Sequence, residues 1–302
     1  MKKIIFGIVL VLLAGGIINN LSQKKEGIKK NIPTAQVPSI QNNLQENTLN
    51  ESYGKDPRNT ITVVLPKNRD KKTPFILFLH GGAWTSGDKK DVAVIQLILS
   101  QQGIASAAIN YRYASNTVHY KELMTDVGNA VTYIENSMDA WNIGKKKITI
   151  GGISAGAHMS LLYAYGYDTN NNISSVISMA GPTDISLTDM LDLAVKNRMI
   201  GVVNCLVNDT YTQGVAVSTQ FKDASPITYV KNVPTLLIHG NKDSIVLYNQ
   251  SVKLNEILEN KKIPHKLITI DGANHDLGLA NPRNATLITQ EVTNWIREYS
   301  NK

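Results

Sequence analysis

The sequence predicts an α/β fold, with a mostly parallel central sheet, helices on both faces and a small insertion. Three observations lead there. Short β-branched or apolar runs alternate with segments of helical period from about Tyr53 to Tyr299, the rhythm of strands joined by crossover helices. The links between these runs are mostly short. Finally, the residues able to do chemistry follow the strand-like runs, which is where ligands bind in open sheets of this kind.

At 302 residues, with 42% hydrophobic and 18% charged residues, the chain has material for one large α/β domain or two small ones. Residues 1–21 open with Lys2 and Lys3 and then run without interruption through apolar residues from Ile4 to Ile18. As a helix that run measures about 22 Å, short of the roughly 30 Å hydrocarbon core of a bilayer. A secretory signal peptide fits the length better than a spanning helix does, and Ala14 and Gly16 occupy small-x-small positions for cleavage. Lys24, Lys25, Lys29 and Lys30 follow closely and oppose translocation. The alternative is therefore an uncleaved N-terminal anchor, with membrane association through residues 4–18. The protein is expected to be exported, to the periplasm or the exterior, or anchored by this segment. No cysteine follows the run to carry a lipid, and Cys205, the single cysteine, excludes an internal disulfide. Residues 22–50, rich in Asn, Gln, Lys, Ser and Pro and lacking an apolar period, read as a flexible leader. Residues 51–302 read as the folded domain.

Within that domain Ile61–Leu65, ended by Pro66, reads as a strand, and the polar run Lys67–Thr73 as a hairpin connection. Phe75–Leu79 is a five-residue apolar run, the length of a strand buried on both faces. Asp91–Gln102 places Val92, Ile95 and Leu99 on one helical side and stops at Gly103. Ile104–Ile109 returns to strand, and Tyr120–Asn136 spaces Leu123, Val127, Val131 and Ile134 as a helix does. Ile148–Ile150 is a buried strand followed by a helix. The alternation closes with strands at Ile173–Met179, Thr235–His239 and Lys266–Ile270 and helices at Gln250–Asn260 and Ala285–Tyr299.

Charge says little about partners. Of the net +7, residues 1–30 hold +5, from six lysines and one glutamate, which leaves the domain close to neutral. Without an arginine-rich or aromatic-interleaved basic patch, nucleic-acid binding has no support. No HxxxH, CxxC or carboxylate cluster suggests a metal site.

The chemistry centres on Gly152-Ile153-Ser154-Ala155-Gly156. A strand that turns sharply into a helix at a serine, with glycine two positions to either side, fits a nucleophile elbow. The glycines let the helix pack closely on the strand, and the serine stands at a helix N-terminus that favours developing negative charge. After the Phe75–Leu79 strand comes His80-Gly81-Gly82-Ala83-Trp84. Paired glycines there let backbone N–H groups face a reacting carbonyl oxygen, so the N–H groups of Gly81, Gly82 and Ala155 are candidates for an oxyanion hole. After the Thr235–His239 strand comes Asp243, and after the Lys266–Ile270 strand comes His275. A histidine past the last strand can reach the serine hydroxyl while a carboxylate holds its other nitrogen. The chain order Ser154, Asp243, His275 suits that arrangement. Asp184 is a rival acid, less suited because Asp243 lies one strand before the histidine. His80 reads as a brace for the glycine loop, and His158 and His239 as structural. Ile185–Lys222 interrupts the sheet rhythm and reads as a small lid over the site, part of it packing as ordinary helix on the sheet.

With HGGAW, GISAG, HGNKD and GANH in place, the chain resembles the α/β-hydrolase superfamily from about Tyr53 to Tyr299. HGGAW together with Asn110–Ala114, NYRYA, is similar to the carboxylesterase/lipase branch related to hormone-sensitive lipase. The short lid and GGISAGAH look like its BD-FAE-type small esterases. The resemblance implies a Ser154–His275–Asp243 triad and cofactor-free hydrolysis of small carboxylic esters, with short acyl chains or acyl groups on sugars. Two positions depart from the pattern. Ile153 stands where relatives often carry a polar or acidic residue, and Tyr113-Ala114 replaces the usual Leu-Ala-Pro. Both bear on acyl and alcohol preference rather than on reaction type. Three alternatives stay open: an arylformamidase-like amide hydrolase, a serine peptidase and a non-catalytic binding module on the same fold. The oligomeric state is not legible.

Overall fold

A computed structural model of the chain describes residues 47–300. The signal or anchor segment 1–21 and the leader up to residue 46 lie outside the described residues.

Eight strands form one sheet: β1 (Thr48–Ser52), β2 (Thr60–Val64), β3 (Phe75–Leu79), β4 (Ala105–Ile109), β5 (Ile148–Ile153), β6 (Ile173–Met179), β7 (Thr235–Gly240) and β8 (His265–Ile270). Their order across the sheet is β1-β2-β4-β3-β5-β6-β7-β8. The two pairs that join β1, β2 and β4 are antiparallel, and all other pairs are parallel. The helices are α1 (Ala93–Gln101), α2 (Tyr120–Ser137), α3 (Ala155–Leu162), α4 (Thr188–Lys196), α5 (Ile200–Val207), α6 (Thr219–Asp223), α7 (Asn249–Asn260) and α8 (Pro282–Tyr299).

Alternation along the strands divides the core in two. In β3, Phe75, Leu77 and Leu79 enter a larger cluster that includes Leu123 and Val127 of α2, Met159 and Leu161 of α3 and Leu254 of α7. Ile76 and Phe78 enter a second cluster on the opposite face, with Leu99 of α1 and Ile288, Val292, Trp295 and Ile296 of α8. Every residue of β3, β4, β5, β6 and β7 is buried, which explains their continuous apolar runs.

The differences from the sequence reading have local causes. The leader's last residues belong to β1, whose TLNES sequence has no apolar alternation because it is a largely exposed edge strand held by its ladder to β2. Lys67–Thr73 is not a hairpin connection: β4 lies between β2 and β3. The helix expected from Asp91 starts as a tight turn, Lys89–Val92, fixed by a capping box in which Asp88 and Asp91 each accept a backbone N–H. β5 continues through Gly151 and Gly152 to Ile153, which still pairs with Met179. α8 starts before Ala285, at Pro282, because Asn281 caps it by accepting from the Arg283 N–H.

Candidate active site

At the carboxyl end of β5 the chain turns into α3 through Ser154, whose backbone sits at φ 55° and ψ −121°. A non-glycine residue at such angles is strained. The Ser154 N–H donating to the Met179 carbonyl at 2.8 Å and its carbonyl accepting from His158 N–H at 3.0 Å hold it there. The flanking glycines make the turn possible by close approach. A Cβ on Gly156 would lie 2.1 Å from the Leu79 carbonyl oxygen, and one on Gly152 would lie 2.5 Å from the Gly156 carbonyl carbon. Strand β3, helix α3 and the elbow therefore touch backbone to backbone.

The HGGAW loop follows β3. Gly82 has φ +115°, and Ala83 and Trp84 also adopt positive φ. The Gly82 carbonyl is occupied, accepting from the N–H groups of Thr85 and Ser86. Among the described residues no carbonyl or side chain accepts from the N–H groups of Gly81, Gly82 or Ala155. Gly81 lies close to the nucleophile, since a Cβ there would sit 3.5 Å from Ser154 Cβ.

Asn110–Ala114 braces this loop, a role the sequence reading did not assign. Tyr111 Oη donates to the His80 carbonyl at 2.7 Å and Tyr113 Oη to the Gly87 carbonyl at 2.6 Å. Ala114 N–H donates to the Trp84 carbonyl at 2.9 Å. The Arg58 guanidinium stacks 3.7 Å above the Tyr113 ring, so tyrosine at this position packs as well as bonds. His80 stacks on Tyr111 and donates from Nδ1 to the Gly81 carbonyl at 2.6 Å. Burial pushes its pKa down to about 4 against the opposing effect of that bond, so it is a neutral brace near pH 7. His158 is likewise buried and lowered to about 4. It accepts from Trp84 Nε1 at 3.2 Å and donates to the Ala224 carbonyl at 2.8 Å, tying the loop to the region beyond α6.

Asp243 follows β7 and His275 follows β8. The two loops are joined by Asn274, whose Oδ1 accepts from the Ser244 N–H at 2.9 Å and the His275 N–H at 2.8 Å. The result is a continuous line of bonds. Ser154 Oγ donates to His275 Nε2 at 2.9 Å, and His275 Nδ1 donates to Asp243 Oδ2 at 2.7 Å. The structure thus brings together all three residues read from the sequence. Asp243 Oδ1 accepts from the N–H groups of Ile245 and Val246 at 2.8 and 2.9 Å.

A second histidine shares the acid. His239, fully buried, directs Nε2 at Asp243 Oδ2, 3.1 Å away, and at the Val246 carbonyl, 3.0 Å away, while Nδ1 accepts from Ser251 Oγ at 2.7 Å. Both Nε2 partners are acceptors, so the proton is on Nε2. Burial alone would raise the Asp243 pKa. The bonds from His239, His275 and the Ile245 N–H outweigh it and hold the carboxyl well below its usual range. Its spacing of four residues before Asp243 was the available signal for this contact. Asp184, by contrast, accepts from the Ser186 N–H and hydroxyl at 3.0 and 2.6 Å and serves its own loop.

Different parts of the 185–222 segment face different surroundings. Met190 and Ala194 of α4 and Val203 of α5 border a cavity of about 30 Å³ that also touches Ser154, Ala155 and Trp84, whereas Phe221 of α6 is buried in the larger core. Among the described residues no group of three His, Cys, Asp or Glu is arranged to hold a metal ion, and no helix is long and apolar enough to cross a membrane.

Solved structures share this architecture. A truncated carbohydrate esterase from gut microbiota superposes with a TM-score of 0.68 at 22% identity, covering 84% of this chain and 95% of that one. Esterase 2 of Thermogutta terrifontis gives a TM-score of 0.64 at 18% identity, over 82% and 91% of the two chains. The fold is that of the α/β-hydrolases. Among curated proteins, the isoprenylcysteine alpha-carbonyl methylesterase of Arabidopsis thaliana is 24% identical over 247 residues, 76% of this chain and 57% of the relative. Esterase LipC of Mycobacterium tuberculosis is 27% identical over 226 residues, 66% and 52% of the two chains. The chain therefore spans little more than half the length of these relatives. Residues 61–258, from β2 through most of α7, match the BD-FAE family model, and the chain belongs to that family.

Proposed function

We propose that this protein is a serine carboxylic ester hydrolase working through an acyl-enzyme. The observation that carries the reading is the unbroken line from Ser154 Oγ through His275 to the buried Asp243 carboxylate, beside three backbone N–H groups that find no acceptor among the described residues. His275 Nε2 takes the hydroxyl proton as Ser154 Oγ attacks the ester carbonyl, and Asp243 stabilises the imidazolium at Nδ1. The N–H groups of Gly81, Gly82 and Ala155 receive the oxyanion. The alcohol leaves with the proton from His275, and water, deprotonated by the same nitrogen, releases the acid. The substrates are small esters with short acyl or acetyl groups, including those carried on carbohydrate. The named esterases and carbohydrate esterases among the relatives and structural neighbours support that class. The reaction takes place outside the cytoplasm, the side to which residues 1–21 direct the chain, with the protein either released or held through residues 4–18.

A panel separates this reading from its alternatives. The full chain should hydrolyse p-nitrophenyl acetate and acetylated sugars, and a fluorophosphonate probe should label Ser154. Faster turnover of N-formylkynurenine than of any ester would replace the reading with amide hydrolysis. Absence of labelling would leave only a binding role.

His239 gives a finer expectation. Its N–H is one of the bonds that hold the Asp243 carboxyl below its usual range and fix the oxygen that orients His275. Removing it in His239→Leu should lower kcat and kcat/KM together by about tenfold, as expected for one hydrogen bond to a charged group. His239→Gln, which keeps a donor, should restore most of the loss. Unchanged kcat in His239→Leu would show that the contact does not position the acid.

A further inference from the structure

On the sheet face opposite the lid there is a second cavity, of about 90 Å³. Its base is Ile153 and Met179, the last residues of β5 and β6. Ile95 and Ile98 of α1 line one side and Ala285 and Ile288 of α8 the other. Leu279, four residues beyond His275, also borders it. Asp91 is the charged residue in the lining, and its carboxylate is engaged by the Asp88 N–H at 2.9 Å. The walls are thus almost wholly aliphatic. They are also only half-covered: Ile95, Ile98, Leu279 and Ala285 are all partly exposed around the opening.

Its position relative to Ser154 follows from the sheet order. The candidate oxyanion loop comes from β3 and His275 from β8, on opposite sides of β5. A tetrahedral carbon on Ser154 Oγ therefore turns its oxyanion toward β3 and meets His275 from the β8 side. Its two remaining substituents leave toward the two faces of the sheet. On the lid face is the small cavity that includes Ser154, bordered by the polar Asn197. On the other face is the aliphatic cavity, one peptide bond away through Ile153. Ile153 Cγ2 and Ser154 Cβ lie equally close, 3.5 Å, to a Cβ position on Gly81.

We propose that the α1–α8 cavity is the acyl-chain site and that the alcohol departs on the lid side. The proposal rests on the ester-hydrolase reading and deepens it. A 150 Å³ apolar cavity accepts the six carbons of benzene, so this one has room for a straight chain of about four. To a polar alcohol such as a sugar the lining offers polar groups only at Asp91 and Thr289, whereas methylenes gain about fourfold each in kcat/KM on leaving water. Ile153 and Met179 give the site its apolar floor.

The test uses the full chain and p-nitrophenyl esters with acyl chains of two to ten carbons, beside acetates of alkyl alcohols of the same lengths. The wild type should prefer butanoate over acetate by about fifteenfold, two methylenes' worth, and fall off beyond about five carbons, the carbonyl included. Ala285→Phe, which fills the cavity from α8, should lower the butanoate-to-acetate ratio of kcat/KM tenfold or more. Ile98→Ala, which enlarges it, should move the optimum to longer acyl chains, and it carries the test alone if Ala285→Phe does not fold. An acyl profile unmoved by the variants would overturn the assignment. So would a change confined to the alcohol series, which would place the alcohol in this cavity. A wild type that turns over no ester would instead sink the hydrolase reading itself, and the acyl site with it.

Discussion

Replacement of Ser154 by alanine is expected to lower kcat on p-nitrophenyl esters by on the order of 10⁶-fold with the fold intact. The residue does two separable things. Its backbone holds the strained elbow at φ 55°, and its hydroxyl donates to His275 Nε2. Alanine retains a Cβ and so retains the strain, the close packing of Gly152 and Gly156 and the bond from its own N–H to Met179. Only the hydroxyl is lost. The melting temperature should therefore stay within a few degrees of wild type while both turnover and fluorophosphonate labelling disappear. Activity persisting within a hundredfold of wild type would place the nucleophile elsewhere.

Asp243→Asn is expected to cost about 10⁴-fold in kcat, for a reason visible in its four partners. Oδ1 accepts from two backbone N–H groups and Oδ2 from two histidines. An amide has one oxygen. If that oxygen keeps the N–H groups of Ile245 and Val246, its NH₂ faces His239 and His275, and His275 must turn its unprotonated nitrogen inward. Nε2 then carries the proton and cannot take one from Ser154. Stability should change as well. The Asp243 carboxyl is held below its ordinary value near 3.8, so its contribution is fully present above that pH and is lost as pH falls toward the folded-state value. The gap in thermal stability between wild type and Asp243→Asn should be widest near neutrality and narrow below about pH 4. A gap independent of pH would mean that the charge on Asp243 is not what stabilises the loop.

How much of this was legible depended on whether a signal was local. Phe75–Leu79, Tyr120–Asn136 and Ile173–Met179 carry their own period, and the strand and helix boundaries there agree with the sequence reading within a residue. Ser154, Asp243 and His275 were legible because each follows such a strand, and the structure places them within hydrogen-bond distance. β1 was not, since an exposed edge strand of sequence TLNES is specified by its partner and not by its own pattern. The strand order also escaped, because Lys67–Thr73 looks the same whether β3 returns beside β2 or leaves room for β4. His239 was read as structural, since its contact with Asp243 depends on how the loop after β7 folds back to bring Ile245 and Val246 to the carboxylate. The bracing of the HGGAW loop by Asn110–Ala114 depends on contacts between the segments that follow β3 and β4, which no spacing announces.

The sheet order has one more consequence, for the time at which the chain becomes reactive. Ser154 meets His275 across 121 residues of sequence, and His275 reaches it only when β8 has added to the far edge of the sheet and α8 has packed against the second core. Such distant contacts are slow to form, and domains are completed as synthesis proceeds from the N-terminus. The elbow and the base that activates it therefore come together only in the completed sheet. The hydroxyl is thus paired with its base only once β8 and α8 have docked, so reactivity of Ser154 toward a fluorophosphonate reports completion of the fold.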